Sequence, residues 1–204
     1  MLEIIKDVDI MTEISKYDTI LIGTNVYCTL GNGVQRDIAL NYPYVREDNY
    51  KTKYGDITKL GHILECSREN EPTIILLYIC KGYARKTTKG EIIDTLSYES
   101  LERCLKTINQ RYKGRRIACP LLGCSRFDGN GDKERVITMI ETLLTDVDIV
   151  VYDYYQLSRD EKQTKRWKEE QEVKKKDIEA YYKMVKERKD EAEKRFQRNG
   201  HARY

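Results

Sequence analysis

The sequence predicts an α/β fold with a mixed, mostly parallel sheet. Three observations carry this. Strand-like runs alternate with helical stretches, and consecutive runs lie too far apart for simple hairpins. Thr73–Cys80, TIILLYIC, is continuously apolar, as strands buried on both faces are. Two strand–loop–helix units carry glycines just before the helix, in GNGVQRDIALNYP and in LLGCSRFDGNGDKERV. Open α/β sheets hold ligands at such carboxyl ends of strands.

Leu2–Lys6 is the first strand, and Asp7, Asp9 and Lys16 surround a short connection. Residues 19–23 form the second, because Thr19 to Ile22 is β-branched and apolar. Thr24, Asn25, Gly31, Asn32 and Gly33 are turn formers. Val34 begins a helix with Val34, Ile38 and Tyr42 on one face. Pro43 ends it, since proline disfavours α geometry in the residue before it. A glycine-rich turn feeding a helix aims backbone amides at one spot, which suits phosphate. An ordinary βα turn reads the same way.

Residues 44–60 are polar and predict a surface excursion, with a turn at Tyr54-Gly55-Asp56. Ile63–Cys66 is a short strand, followed by a turn at residues 70–72 and the apolar strand at 73–80. Residues 81–96 are basic, contain glycine and read as a loop. Ser97 caps a helix whose apolar stripe is Leu101, Leu105 and Ile108, with Glu99 in its first turn and Gly114 beyond its end. Residues 116–122 form a strand and 123–131 a second turn-rich loop. Asp132 caps a helix with Val136, Met139, Ile140 and Leu143 inward. Residues 148–152, DIVVY, close the sheet.

Composition divides the chain. Residues 1–157 hold 21 Lys and Arg against 23 Asp and Glu, and residues 158–204 hold 16 against 11. A near-neutral body argues against nucleic acid as its main ligand. The basic tail allows weak nucleic-acid contact that its interleaved acids oppose. The tail is rich in helix formers, with Ile178, Tyr182, Val185, Ala192 and Phe196 as a thin heptad seam. It fits either a solvated charged helix or one that binds a protein partner or a second copy. The six cysteines include no CxxC pair, and the histidines are His62 and His201, so zinc-site spacing is absent. Four of the cysteines lie in apolar or helical stretches and read as small buried hydrophobes. No leader-like segment opens the chain, and no apolar run reaches the ~18 residues of a membrane span. These features predict a reduced, cytoplasmic protein with no metal and no cofactor.

The order of these pieces resembles a macro domain, the three-layer α/β/α module that binds ADP-ribose. The resemblance covers about residues 1–155 and implies one domain at 1–157 followed by a charged helical tail at 158–204. It rests on Asp9-Ile10 near the start, on DTILIGTN running into GNGVQRDIALNYP, on IACPLLGCSRFDGNGDKERV, and on Tyr152-Asp153 at the last strand's end. The GC pair at Gly123-Cys124, SYESLERCL and a strand ending in Lys81 are similar to one branch. That branch holds the terminal ADP-ribose protein glycohydrolase and the ADP-ribose-1″-phosphate phosphatase; bacteriophages also encode macro-like proteins of this shape. Two positions depart from common macro patterns: Asn32 stands where many relatives carry Gly or Ala, and Ile22 replaces the first Asn of the commoner motif.

The resemblance implies the site. Asp9, with Ile10 beside it, would accept from the adenine amino group; the residues alone equally allow Asp9 as a cap. Asn25 would bond the distal ribose, or else fix its own loop through an Asx-turn. Gly31, Asn32, Gly33, Gly123, Cys124, Ser125, Arg126 and Phe127 would surround the diphosphate, with backbone amides as the donors. Tyr152 would stack on adenine or close the core edge, with Tyr154 as its competitor. Lys81 and Asp128 match a catalytic Lys–Asp pair. Lys81 follows a buried strand, so desolvation would lower its pKa and let a neutral amine attack the anomeric carbon; Asp128 would move protons. The plain alternatives are a strand end and a turn residue. Water attack positioned by Asn25 is a second enzymatic route. The implied function is ADP-ribose binding with hydrolysis of an ADP-ribosyl bond to a protein acid, an acyl group or the 1″-phosphate. A non-catalytic reader and a structural protein that kept only the fold are the alternatives.

Overall fold

Every residue of Thr19–Asn25 is buried, which requires a strand in the middle of a sheet covered on both faces. The computed structural model describes residues 1–82, 85–86, 92–93, 95–125 and 129–154. Along the chain these form β1 (Leu2–Lys6), β2 (Thr19–Asn25), α1 (Gly33–Asn41), α2 (Pro43–Tyr50), β3 (Ile63–Cys66) and β4 (Thr73–Cys80). There follow β5 (Arg85–Lys86), β6 (Ile92–Ile93), α3 (Tyr98–Arg111), β7 (Arg116–Pro120), α4 (Lys133–Leu143) and β8 (Asp148–Asp153). The main sheet has six strands in the order β1-β8-β7-β2-β4-β3. Only β3 runs antiparallel to its neighbour. The carboxyl ends of β1, β8, β7, β2 and β4 therefore line one edge.

Alternation along the strands divides the core into two layers. Ile20, Ile22, Ile74 and Leu76 face α1 and α2, where Ile38, Ala39, Tyr44 and Val45 meet them. Leu21, Ile75, Leu77, Ile117 and Ile149 face α3 and α4, which contribute Leu101, Leu105, Ile108, Val136 and Ile140. Each such Leu or Ile contributes about 1.5–3 kcal/mol by leaving water. Helix α3 starts where Ser97 Oγ accepts from Ser100 N at 3.3 Å. It stops before Gly114, whose φ of 73° suits a residue without a Cβ. Among the described residues no helix is long and apolar enough to cross a membrane.

Four expectations need correction. Residues 43–50 are a helix rather than a polar excursion, with Tyr44, Val45 and Asn49 buried. Pro43 both ends α1 and occupies the first turn of α2, where its missing N–H costs nothing. Residues 81–96 include an antiparallel ribbon, Arg85 opposite Ile93 and Lys86 opposite Ile92. Strand β2 runs two residues past Gly23, because β4 continues beside it as far as Cys80. Strand β7 stops at Pro120, its last partner being Tyr152 of β8. The helix expected over residues 158–204 lies outside the described residues.

One ion pair fastens α2 to the turn after β3. Arg68 places Nη1 2.9 Å from Asp48 Oδ2 and Nη2 3.1 Å from Oδ1. Lys51 Nζ donates to Oδ1 at 2.7 Å. The Arg68 guanidinium and then Lys51 hold the Asp48 carboxyl below its ordinary range. A carboxyl lowered on folding stabilises the protein above its unfolded pKa of about 4, and that stability is lost as pH falls through the lower folded value. In urea melts, Asp48→Asn is expected to be less stable than wild type at pH 7 and to lose less on acidification from pH 5 to 3. Parallel losses in both proteins would refute the assignment.

Candidate functional site

The carboxyl edge of the sheet brings the expected residues into a row. Register places Asn25 beside Cys80, hence next to Lys81. A Cβ built on Gly23 would lie 3.4 Å from the amide nitrogen of Gly123. The end of β2 and the loop after β7 are therefore neighbours. At the other end, Asp7 N donates to Asp153 O at 3.1 Å, setting the β1 loop beside the end of β8.

The two glycine loops differ physically. Gly31, Asn32 and Gly33 are exposed, and a Cβ on Gly31 would meet nothing within 4 Å. Helix α1 begins at Gly33 with φ 52° and no side chain caps it. The first amides of a helix have no partner inside the helix, and those of Gly33 and Val34 donate to no described residue. Helices α3 and α4 are closed by their own Ser97 and Asp132; Asp132 Oδ1 accepts from Arg135 N at 2.7 Å. The start of α1 is thus left electropositive and accessible.

The loop after β7 is packed. Gly123 is buried with φ 68°, and a Cβ there would stand 2.7 Å from Leu96 Cδ1. Gly131 N donates to Gly123 O at 2.9 Å, and Gly129 O accepts from the amides of Thr95 and Leu96 at 3.0 and 3.2 Å. These bonds latch the loop to the segment that leads into α3. The amides of Gly123 and Cys124 donate to no described residue. Cys124 is partly buried; burial, then the charge of Asp132, pushes its thiol up to about 12. Ser125 is exposed. Arg126, Phe127 and Asp128 lie outside the described residues.

Other expected residues serve the fold in this structure. Asp9 Oδ1 caps the turn Ile10–Thr12 by accepting from Met11 N at 3.0 Å, and Ile10 is 2% exposed in the core. Asn25 makes the Asx-turn: Oδ1 accepts from Tyr27 N at 2.9 Å and from Thr29 Oγ1 at 3.1 Å, and Nδ2 donates to Thr29 Oγ1 at 2.9 Å. Lys81 is exposed. The desolvation expected for its ammonium is missing, because β4 is buried only as far as Cys80.

Tyr152 is 1% exposed and fills the core edge, so its ring is packed against protein. Its hydroxyl lies 2.8 Å from Tyr17 Oη and donates to Glu13 Oε2 at 2.7 Å. Burial, then these two partners, raises it well above the ordinary tyrosine range. The exposed aromatic at this end of β8 is Tyr154. Tyr152→Phe leaves Tyr17 and Glu13 without a buried partner and is expected to cost about 1–3 kcal/mol of stability in urea melts. An unchanged midpoint would show that this bond contributes nothing.

Sequence reasoning missed two contributors. Gln35 is buried in the first turn of α1, and its Nε2 donates to Gly23 O at 2.7 Å. It fixes the helix start against the end of β2; a buried amide one turn into a helix was the available signal. Tyr27 lies over the backbone at Gly55 and Gly82, 3.4 Å from a Cβ on either, and meets Tyr54 edge-on at 5.3 Å. Tyr27 thus flanks the segment carrying Lys81. A separate cavity of about 330 Å³ is lined by Thr52, Lys59, His62 and Tyr78 among others, and not by the glycine loops.

No protein-family model and no curated protein matches the chain. Solved structures do. A protein of unknown function from Bacteroides thetaiotaomicron aligns at TM-score 0.58 and 17% identity, over 75% of this chain and 98% of that one. The macrodomain of Thermus aquaticus DarG aligns at 0.54 and 18%, over 75% and 98%. Thermosipho africanus DarTG, determined in complex with ADP-ribose, aligns at 0.52 and 15%, over 78% of this chain and 43% of that one. The α/β body of the chain has the macrodomain fold.

Proposed function

We propose that this macrodomain fold binds ADP-ribose along the carboxyl edge of its sheet. One observation carries the reading: Gly23 of β2 lies against the amide of Gly123 and holds the first turn of α1 through Gln35, so the start of α1 and the loop after β7 both border the end of β2, and both carry amides with no described acceptor. Amides converging from a helix start and a neighbouring loop suit a diphosphate. Strands spaced at about 4.8 Å give the row from β1 to β4 a length of about 19 Å, room for an extended nucleotide. Asp9, with one carboxylate oxygen engaged as a cap, stands at one end and Lys81 at the other. The ADP-ribose in the Thermosipho africanus DarTG structure supports the choice of ligand.

Titration calorimetry of the full chain with ADP-ribose, with AMP as control, tests this. Micromolar binding that AMP does not reproduce is expected. No heat at millimolar ADP-ribose would refute it.

Hydrolysis of an ADP-ribosyl bond is the finer proposal, with Lys81 and Asp128 as the reacting pair. The exposed side chain of Lys81 favours the second reading, a non-catalytic reader of ADP-ribose. Lys81→Ala and Asp128→Ala decide between them. An enzyme loses about 100-fold or more in turnover of an ADP-ribosylated protein while keeping affinity for ADP-ribose. A reader shows no turnover in the wild type. The tail, residues 158–204, is the segment proposed to hold a protein partner or a second copy.

A further inference from the structure

Cys28 and Lys59 form a pair that the candidate site does not use. Cys28 lies between β2 and α1, is 3% exposed, and has φ 55°. A side chain other than glycine's stays in that region only where its surroundings hold it. Its sulfur is 3.0 Å from Lys59 Nζ, 3.2 Å from Thr52 Oγ1 and 3.8 Å from Thr52 O. The ammonium has two further contacts: Thr52 Oγ1 at 3.2 Å and the face of Tyr78, 4.7 Å from the ring centre. Lys16, Lys51 and Lys106 each pair with a carboxylate. Lys59 pairs with none among the described residues; its ammonium is set against a thiol. Cys28 forms no disulfide.

We propose that Cys28 and Lys59 are a site of oxidative cross-linking, joined by one bridging oxygen between sulfur and nitrogen. The oxidant is a peroxide. One hydrogen peroxide converts the thiol to sulfenic acid and releases one water. The ammonium gives a proton to solvent, and a second peroxide removes two hydrogens from the sulfenic acid and the amine as the O–N bond forms, releasing two waters. Sulfur and nitrogen each lose two electrons, and each peroxide accepts two. The sum is one thiol, one ammonium and two peroxides going to one S–O–N bridge, three waters and one proton.

Geometry supports this product over the alternatives. The amine already touches the sulfur, so a sulfenic acid formed there meets it without a diffusional search. One interposed atom leaves both side chains near their present positions, whereas a direct S–N bond draws them closer together. The cavity of about 330 Å³ reaches Thr52 and Lys59, the two side chains against the sulfur, and is the side from which peroxide would approach. The bridge would tie the loop between Asn25 and Gly31 to the turn Ile57–Lys59, whichever ligand that loop takes.

The full chain is exposed to dilute hydrogen peroxide, alkylated, digested without reductant and read by mass spectrometry. The expected result is a linked peptide pair joining residues 28 and 59, about 14 mass units heavier than the two peptides combined and separated again by dithiothreitol. Lys59→Arg is expected to lack the link and to show Cys28 as sulfinic or sulfonic acid instead. A thermal melt confirms that this variant folds, and the dithiothreitol arm needs no variant. Absence of the linked pair, with Cys28 oxidised equally fast in wild type and Lys59→Arg, would overturn the proposal. A link about 2 mass units lighter than the two peptides would mean a direct S–N bond and would overturn the bridging oxygen.

Discussion

Gly129→Ala is expected to weaken ADP-ribose binding by about tenfold or more and to destabilise the fold by about 1–3 kcal/mol. A Cβ at this position would drive into the carbonyl oxygen of Gly123 and stand 3.1 Å from Cys80 Sγ. The first obstacle is backbone, so it cannot rotate away. Relief requires Gly123 to move, and with it the amide beside the end of β2. The carbonyl of Gly129 also holds the amides of Thr95 and Leu96, so displacement spreads into the start of α3. Calorimetry and a thermal melt on the same sample read both effects. Wild-type affinity and stability together would show that the loop has slack which its packing denies.

Gly33→Val is expected to weaken ADP-ribose binding by about tenfold or more, while α3 and α4 keep the protein folded. Gly33 holds φ 52° at the start of α1. A β-branched residue is a steric outlier there and costs about 1–2 kcal/mol. It would either tilt the first turn or cover the exposed amides of Gly33 and Val34. Both outcomes remove the anion-binding end of the helix. Far-ultraviolet dichroism checks the fold and calorimetry the binding. Binding that survives in a folded variant would place the diphosphate elsewhere and remove the main support for the ligand assignment.

Much of the fold was legible because its signals are local. TIILLYIC can satisfy seven consecutive buried positions, Ile74 to Cys80, only as an interior strand, and it is one. Ser97 and Asp132 announced helix starts because a short oxygen-bearing side chain before an apolar stripe satisfies the orphan amides of the first turn; both do so here. Helix α2 was illegible because it buries only Tyr44, Val45 and Asn49, too few for an apolar stripe. Pro43 carried opposite meanings for the helices on its two sides.

The candidate site was legible as a set of loops and illegible as a set of contacts. GNG and GCS marked the ends of β2 and β7. That the end of β2 meets the loop after β7 depends on β7 inserting next to β2 after the chain has gone out to β4 and back through α3. Asn25, Asp9 and Tyr152 each had a ligand reading and a structural reading of equal chemical standing. Neighbours decided their present partners: Thr29 and Tyr27 for Asn25, Met11 for Asp9, Tyr17 and Glu13 for Tyr152. Cys28 and Lys59, 31 residues apart, carry no shared motif.

Local signals along the chain are enough to specify the α/β class, the mostly parallel sheet, the caps of α3 and α4, and the two glycine loops that follow strands. Those follow from hydrophobic periodicity and from side chains bonding to their own backbone, interactions contained within a few residues. Long-range packing sets the rest: the glycines before α1 are open while the loop after β7 is packed, Lys81 is exposed, Tyr152 belongs to the core, and a thiol meets an ammonium. Each of these depends on which distant segment arrives alongside. Strand order, a property of the whole chain, sets that.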